Sequence, residues 1–274
     1  ISLMSAKNRP LRHPVRYRRH KTPMQIATKG IVIRERSVND DRLVTLLTRD
    51  HGVINAFARG AKRLKGKLTS STELFCYSRL VLFEGRDSYT VNAAECDASF
   101  FELRKDLDKL ALASYIAELC CELAPKEEEA EEYLRLLLNT LHFLKTGQRD
   151  GAQLKAIFEL RLLTMAGFMP DLVGCRGCGA HEGRLLFLPS SGELACLSCR
   201  AKDPPESIEE TIELPPPVLA AMRHILYSDL ERLFSFHLTE GNLRLLAHVS
   251  ERYLLCQMGR SYKALEFYHS LAAL

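Results

Sequence analysis

The stretch "IATKGIVIRERSVNDDRLVTLLTRDHGVINAFARGAKR", residues 26–63, decides how the front of the chain folds. β-Branched residues crowd "IATKGIVIRERS", and "LVTLLT" and "VINAFA" follow after short polar breaks, with "RDHG" around Gly52 as a turn. Further on, "LFCYSRLVLFE" and "SYTVNAAE" add two apolar runs separated by "EGRDS". Five short strands between Gln25 and Asp97 fit a small barrel of the OB type; an open sheet or an SH3-like barrel gives a similar pattern.

After Ser99 the period changes to that of helices. Leu112, Tyr115, Ile116, Leu119 and Leu123 recur at helical spacing, and Pro125 stops the run. "KEEEAEEYLRLLLNTLHFLKTG" opens with acids suited to a helix N-terminus and ends at Gly147, with Leu134, Leu137, Leu138, Leu141 and Leu144 on one face. A third helix, Gly151 to Ala166, presents Leu154, Phe158, Leu162 and Met165. "LPPPVLAAMRHILYS" reads as a helix with prolines in its first turn. "TEGNLRLLAHVSERYLLCQMG" starts at Thr239 as N-cap, and "YKALEFYHSLAAL" is short and amphipathic.

The 274 residues suffice for two or three domains, and 46% hydrophobic with 26% charged residues is an ordinary globular composition. No apolar run has the length of a membrane span, so no membrane partner is expected and the default location is cytoplasmic. The net charge of +4 is uneven: residues 1–23 carry seven cations and no acid, residues 24–100 sum to +3, and 101–170 and 171–274 to −3 each. Residues 1–23 read as a disordered leader ahead of a natural start at Met24, with a nucleic-acid-gripping arm as the alternative.

Cys175 and Cys178 in "LVGCRGCGA" are separated by seventeen residues from Cys196 and Cys199 in "ELACLSCR". This is zinc-ribbon spacing: each two-residue spacer lets a pair of thiolates reach one ion, and "RLLFLPSSGELAC" supplies a hairpin between the pairs. Four thiolates close a tetrahedron, so one structural zinc ion is expected. Four reduced cysteines without metal, or His181 as a substitute ligand, are the alternatives. Cys76, Cys96, Cys120, Cys121 and Cys256 read as small core residues.

Arg59, Lys62, Arg63, Lys65 and Lys67 make "FARGAKRLKGKLTSS" the densest cationic loop of the body, suited to phosphate contact without sequence readout. Arg34, Arg36 and Arg42 extend that surface, and Phe57, Tyr77 and Tyr89 are candidates for base stacking or for the barrel core. There is no phosphate-cradling glycine motif and no G-x-S-x-G. Asp40 and Asp41 read as turn residues rather than as a nuclease centre, so a binding protein is expected, not an enzyme.

"TKGIVIRERSVNDDRLVTLLTRDHGVINAFARGAKR" and the join "LTMAGFMPDLVGCRGCG" resemble the bacterial recombination mediator family RecO, and the resemblance runs over residues 25–274. It implies an α+β multidomain chain. Residues 24–100 would form an OB-fold nucleic-acid-binding barrel, and residues 101–274 an α-helical domain with a zinc-ribbon insertion at 172–202. It also implies a non-catalytic repair protein of the RecF pathway, active at the nucleoid. Such a protein binds single- and double-stranded DNA and anneals complementary strands. With RecR, and in some settings RecF, it helps load RecA onto DNA coated by single-strand binding protein, whose acidic C-terminal tail it contacts. Arg59 in "FARGAK" carries over as a DNA contact, with Lys62 and Arg63 following less directly, and the four cysteines carry over as zinc ligands, which some relatives lack. Arg161 and Arg223 are examples of cations that an acidic tail would meet on the helical domain.

Overall fold

The computed structural model describes residues 24–63, 66–86, 88–204 and 210–272; the leader 1–23 and Lys65 lie outside the described residues. Strands β1 (Gln25–Val38), β2 (Asp41–Thr48), β3 (Gly52–Ala58), β4 (Cys76–Glu84) and β5 (Tyr89–Ser99) form a closed barrel in the order β1-β2-β3-β5-β4. All pairings are antiparallel except β3 with β5, which run parallel and close the wall through Ala56↔Tyr89 and Phe57↔Thr90. This is the OB arrangement; the sheet is neither open nor SH3-like. Alternation sends Val32, Val44, Leu46, Ile54, Ala56, Leu80, Leu82 and Val91 into the barrel.

The outward positions have two fates. Ile31, Leu47 and Val53 are register partners across β1, β2 and β3, and this apolar row packs into the core of the helical region. Further along the same strands the outward row is Arg36–Leu43–Phe57. A bulge between Val32 and Arg34 adds one residue, so Ile33 joins Ile31 against the helices before the strand resumes its alternation.

The helical region comprises α1 (Leu107–Leu123), α2 (Glu131–Thr146), α3 (Gly151–Met165), the one-turn α4 (Leu197–Arg200), α5 (Pro216–Tyr227), α6 (Glu240–Met258) and α7 (Lys263–Ala272). Asp106 and Asp150 cap α1 and α3 by accepting from the Lys109 and Ala152 amides, and Gly147 ends α2 in the left-handed conformation. Thr239 holds the N-cap position of α6, but its side chain makes no capping bond. α2 starts at Glu131, later than the acidic run suggests, because Lys126 bridges to Gly52 and Glu127 adopts a positive φ.

That link locks barrel to helices. Val53 N–H donates to Pro125 O at 2.8 Å, and Ala130 N–H to Arg49 O at 2.8 Å. Gly52 sits between them with φ +56°, and a Cβ there would lie 2.1 Å from Pro125 O.

α3 differs from its expected single stripe. Leu154, Ala156, Ile157, Phe158, Leu160, Leu162 and Leu163 are all buried, so the helix is covered on every side by its neighbours. Burial there includes Lys155 and Glu159, the latter 0% exposed. Lys155 Nζ pairs with Glu159 at 2.9 Å and with Glu251 of α6 at 2.6 Å. Glu159 also accepts from Tyr115 of α1 at 2.7 Å and Ser250 of α6 at 2.5 Å, while His269 of α7 reaches Glu251 at 2.8 Å. Burial alone would lower the Lys155 ammonium's pKa, but Glu159 and Glu251 outweigh it and raise it. Burial likewise works against the Glu251 carboxylate, and Lys155 overrides it, holding Glu251 below the usual range.

Removing one member of such a network strands the rest. Lys155→Met is expected to cost about 3–5 kcal/mol at neutral pH by denaturant unfolding. The depressed Glu251 contributes stability that is present above its unfolded pKa and lost as pH falls through its lower folded value. The deficit of the variant therefore narrows on acidification below about pH 4.5. Gly52→Ala should lower the melting temperature sharply, by more than the ~1 kcal/mol of a strained φ alone, because of the collision with Pro125 O.

Candidate nucleic-acid interface and metal centre

The loop from Arg59 to Phe75 is built around internal anchors. Ala61 is fully buried and packs into the barrel core, with Leu68 against the same cluster. At the loop's start Asp41 accepts from the Gly60 amide at 2.7 Å, and Lys62 N–H donates to Asp40 O at 3.0 Å. At its end Arg42, 4% exposed, donates to Thr69 O at 2.9 Å and Thr72 Oγ1 at 3.1 Å and pairs with Glu35 at 3.4 Å. Gly66 lets the chain fold back; a Cβ there would sit 2.5 Å from Gly60 O. With two apolar plugs inside and both ends tied, Arg59, Lys62, Arg63 and Lys67 are left on the outside.

Arg59, Lys62, Arg63 and Lys67 are exposed. Arg63 pairs with Asp40 at 3.6 Å, both side chains largely in solvent, so water screens that pair heavily. Among the described residues no carboxylate pairs with Arg59, Lys62 or Lys67. Arg34 and Arg36 are exposed two residues apart on β1. Arg42 does not belong to this surface: its register partner is Ser37, its side chain is buried, and it serves as the loop's clamp. The Asp41 carboxylate accepts from the Gly60 amide and that of Asp40 faces Arg63, and among the described residues neither belongs to a group of acids that could hold a metal ion.

Of the three aromatics, Phe57 is the one on the open face. It is 36% exposed, in the Arg36–Leu43–Phe57 row and two residues before Arg59. Tyr77 packs against the helical core and Tyr89 against the barrel core. Alternation from buried Ala56 and Ala58 marks Phe57 as outward, a signal present in "VINAFAR" once the strand is known.

In the four-cysteine segment, β6 (Leu185–Leu188) and β7 (Glu193–Cys196) form the expected hairpin, and β8 (Ile212–Leu214) adds a third strand in the order β7-β6-β8. The sulfurs of Cys175, Cys178, Cys196 and Cys199 all lie within 4.8 Å of one another, with Cys178 and Cys196 3.8 Å apart. A tetrahedral ion with bonds of about 2.3 Å to sulfur separates its ligands by about 3.8 Å, so the donor set fits. Gly177 lets the Cys199 sulfur approach the first knuckle, since a Cβ there would stand 2.9 Å from it. Backbone amides of Cys196 and Gly177 point at Cys175 Sγ at 3.2 and 3.4 Å. Burial opposes ionisation of Cys175, yet these N–H groups prevail and bring it down to about 6. Cys199 donates its S–H to the neighbouring sulfurs, which pushes it up to about 12, so four sulfurs this close cannot all ionise without a cation among them. His181 Nδ1 is bonded to Val173 O at 2.9 Å and stands outside the set.

The ribbon is not thinly cored. Leu185, Phe187 and Leu194 enter the helical core, Phe187 meets Tyr253 of α6 edge-on at 5.5 Å, and Gln257 donates to Pro189 O and Ser190 O. Arg223 donates to Leu172 O and Val173 O, and Arg161 to Leu226 O. Both examples of docking cations are thus tied to main-chain carbonyls. Among the other cysteines, Cys76 and Cys120 are buried as expected, but Cys96 is exposed.

A closed OB barrel with an outward cationic loop, fused to a helical domain that carries a four-cysteine ribbon, defines a class of protein. The family described as Recombination protein O N terminal matches residues 24–100, and Recombination protein O C terminal matches residues 104–266. A protein named DNA repair protein RecO from Acetivibrio thermocellus is 32% identical over 249 residues, covering 90% of this chain and 97% of the relative. Its namesake from Symbiobacterium thermophilum is 35% identical over 247 residues, covering 88% and 96%. The chain belongs to the RecO family, and its role lies in DNA repair and recombination. Among the described residues no helix is long and apolar enough to cross a membrane.

Metal analysis of the purified protein is expected to give one thiophilic divalent ion per chain. Cys178→Ser should reduce that content and increase proteolysis within residues 172–202, while a chain that holds no metal yet resists proteolysis there would count against the centre.

Proposed function

We propose that this protein is a non-catalytic recombination mediator whose DNA surface is the open face of its barrel. Arg59, Lys62, Arg63, Lys65 and Lys67, with Arg34 and Arg36, take phosphates of single- and double-stranded DNA, and Phe57 receives a base of a single strand. Cations that contact two backbones at once offset the repulsion between them, which favours annealing without a chemical step. The observation that carries this reading is the outward set of Arg59, Lys62 and Lys67 on a loop fixed by Asp41 and Arg42. The family supports the finer roles: action with RecR and RecF, loading of RecA on DNA coated by single-strand binding protein, contact with that protein's C-terminal tail, and a cytoplasmic, nucleoid-associated setting. The tail, being acidic, would dock on cations other than Arg161 and Arg223.

Zinc is the ion proposed for Cys175, Cys178, Cys196 and Cys199; when bound it supplies a cross-link and no open coordination position. The residues around it orient sulfurs and pack the ribbon on α6, leaving DNA contact to the barrel.

Fluorescence anisotropy with labelled oligonucleotides tests the interface. The Arg59→Glu/Lys62→Glu double variant should bind far more weakly and show a shallower salt dependence, by roughly 0.7–0.9 in slope for each phosphate the loop no longer neutralises. Phe57→Ala should weaken single-strand binding by about 1–3 kcal/mol and leave duplex binding nearly unchanged. Unaltered affinity in the double variant, with the fold intact, would overturn the assignment.

A further inference from the structure

A second close pair of thiols lies in the barrel wall, outside the four-cysteine ribbon. Cys76 on β4 pairs in register with Ser99, and Tyr77 with Ala98, but a bulge then makes Ser78 the partner of Cys96. Asp97 is the extra residue, and its carboxylate is held by Arg79 of β4 at 2.9 Å and Lys29 of β1 at 3.6 Å. The bulge swings Cys96 toward Cys76, and the Cys76 S–H donates to the Cys96 sulfur at 2.9 Å. That separation is about 0.9 Å longer than a disulfide bond of about 2.05 Å.

The two sulfurs are unequal. Cys76 is 1% exposed, whereas Cys96 is open to solvent. Burial, reinforced by the bond to Cys96, pushes the Cys76 thiol up to about 12, so it stays protonated as the donor. The Cys96 sulfur accepts that hydrogen bond, and it is the sulfur a small oxidant can reach.

We propose that Cys96 and Cys76 form a peroxide-reactive dithiol, with Cys96 as the nucleophile toward the oxidant and Cys76 as the resolving thiol. The Cys96 thiolate displaces hydroxide from hydrogen peroxide, cleaving the O–O bond and forming a sulfenic acid. Cys76 sulfur then attacks the Cys96 sulfur; the S–O bond breaks, and the departing hydroxide leaves as water with the Cys76 proton. Two thiols lose two electrons, and one peroxide becomes two waters once the first hydroxide takes up the proton released by Cys96. The new bond would clip β4 to β5 at the return of the cationic loop. There the Cys76 sulfur touches Ser78 Oγ at 3.4 Å, and Ser78 Oγ donates to Ser71 O at 2.9 Å.

The experiment treats the metal-loaded full chain with graded hydrogen peroxide, blocks free thiols with iodoacetamide and maps peptides by mass spectrometry, with metal release followed in parallel. The expected product is a Cys76–Cys96 linked peptide pair, reversed by dithiothreitol and formed before the ribbon loses its ion. Cys96→Ser, at an exposed position, should abolish the link and leave Cys76 as a free thiol. Cys76→Ser should leave a Cys96 sulfenic acid that dimedone traps. Recovery of Cys96 fully alkylated at peroxide doses that already eject the metal would overturn the proposal, as would oxidation of Cys96 with no link to Cys76. Should Cys76→Ser not fold, the wild-type map and Cys96→Ser decide the matter.

Discussion

The outer face of β1, β2 and β3 has to serve two environments, and the rest of the molecule follows from where it is divided. Ile31, Leu47 and Val53 turn one end of it into a contact for α1 and α2, so that end is dry. The Val53–Pro125 and Ala130–Arg49 main-chain bonds fix the boundary, and Gly52 leaves no tolerance there. What remains outward is the end bearing Arg36, Leu43 and Phe57, with the cationic loop beside it. A barrel docked by apolar contact at one end thus presents its charge at the other, where the buried Arg42 beneath the loop is held by Glu35, Thr69 and Thr72.

The helical region and the ribbon are joined into one core. α3 lies at its centre, and its Lys155–Glu159 pair ties together α1, α6 and α7 through Tyr115, Glu251, Ser250 and His269. Hydrophobic groups of similar volume often pack such a site with equal or greater stability, whereas loss of one member alone leaves a buried charge without its partner. The ribbon leans on the same α6 through Phe187 and Tyr253, so an ion held by the four sulfurs braces a surface continuous with the main core.

Much of this was legible in the residues because the signals were local. Alternation in "IVIRERS" and "VINAFA", Gly147 after a leucine stripe, prolines opening α5 and the paired C-x-x-C all act within a few positions. The signals that failed depend on distant partners. Arg42 looks like one more surface cation until Thr69 and Thr72 fold over it, and Cys96 looks like core, yet the bulge that brings it beside Cys76 leaves it exposed. Lys155 and Glu159 sit at i and i+4, which on an exposed helix is a routine surface pair; only coverage of α3 by helices far along the chain makes them interior. The placement of Phe57 outside and Tyr89 inside rests on strand register, which composition does not carry.

The barrel wall is unevenly fastened. β1 with β2, β1 with β4 and β4 with β5 are long antiparallel ladders, whereas β3 meets β5 over Ala56↔Tyr89 and Phe57↔Thr90 alone. Local opening takes least free energy where the fewest backbone bonds must part. The seam of the cylinder with the fewest paired residues therefore runs directly beneath Phe57, where parting the wall takes the least free energy.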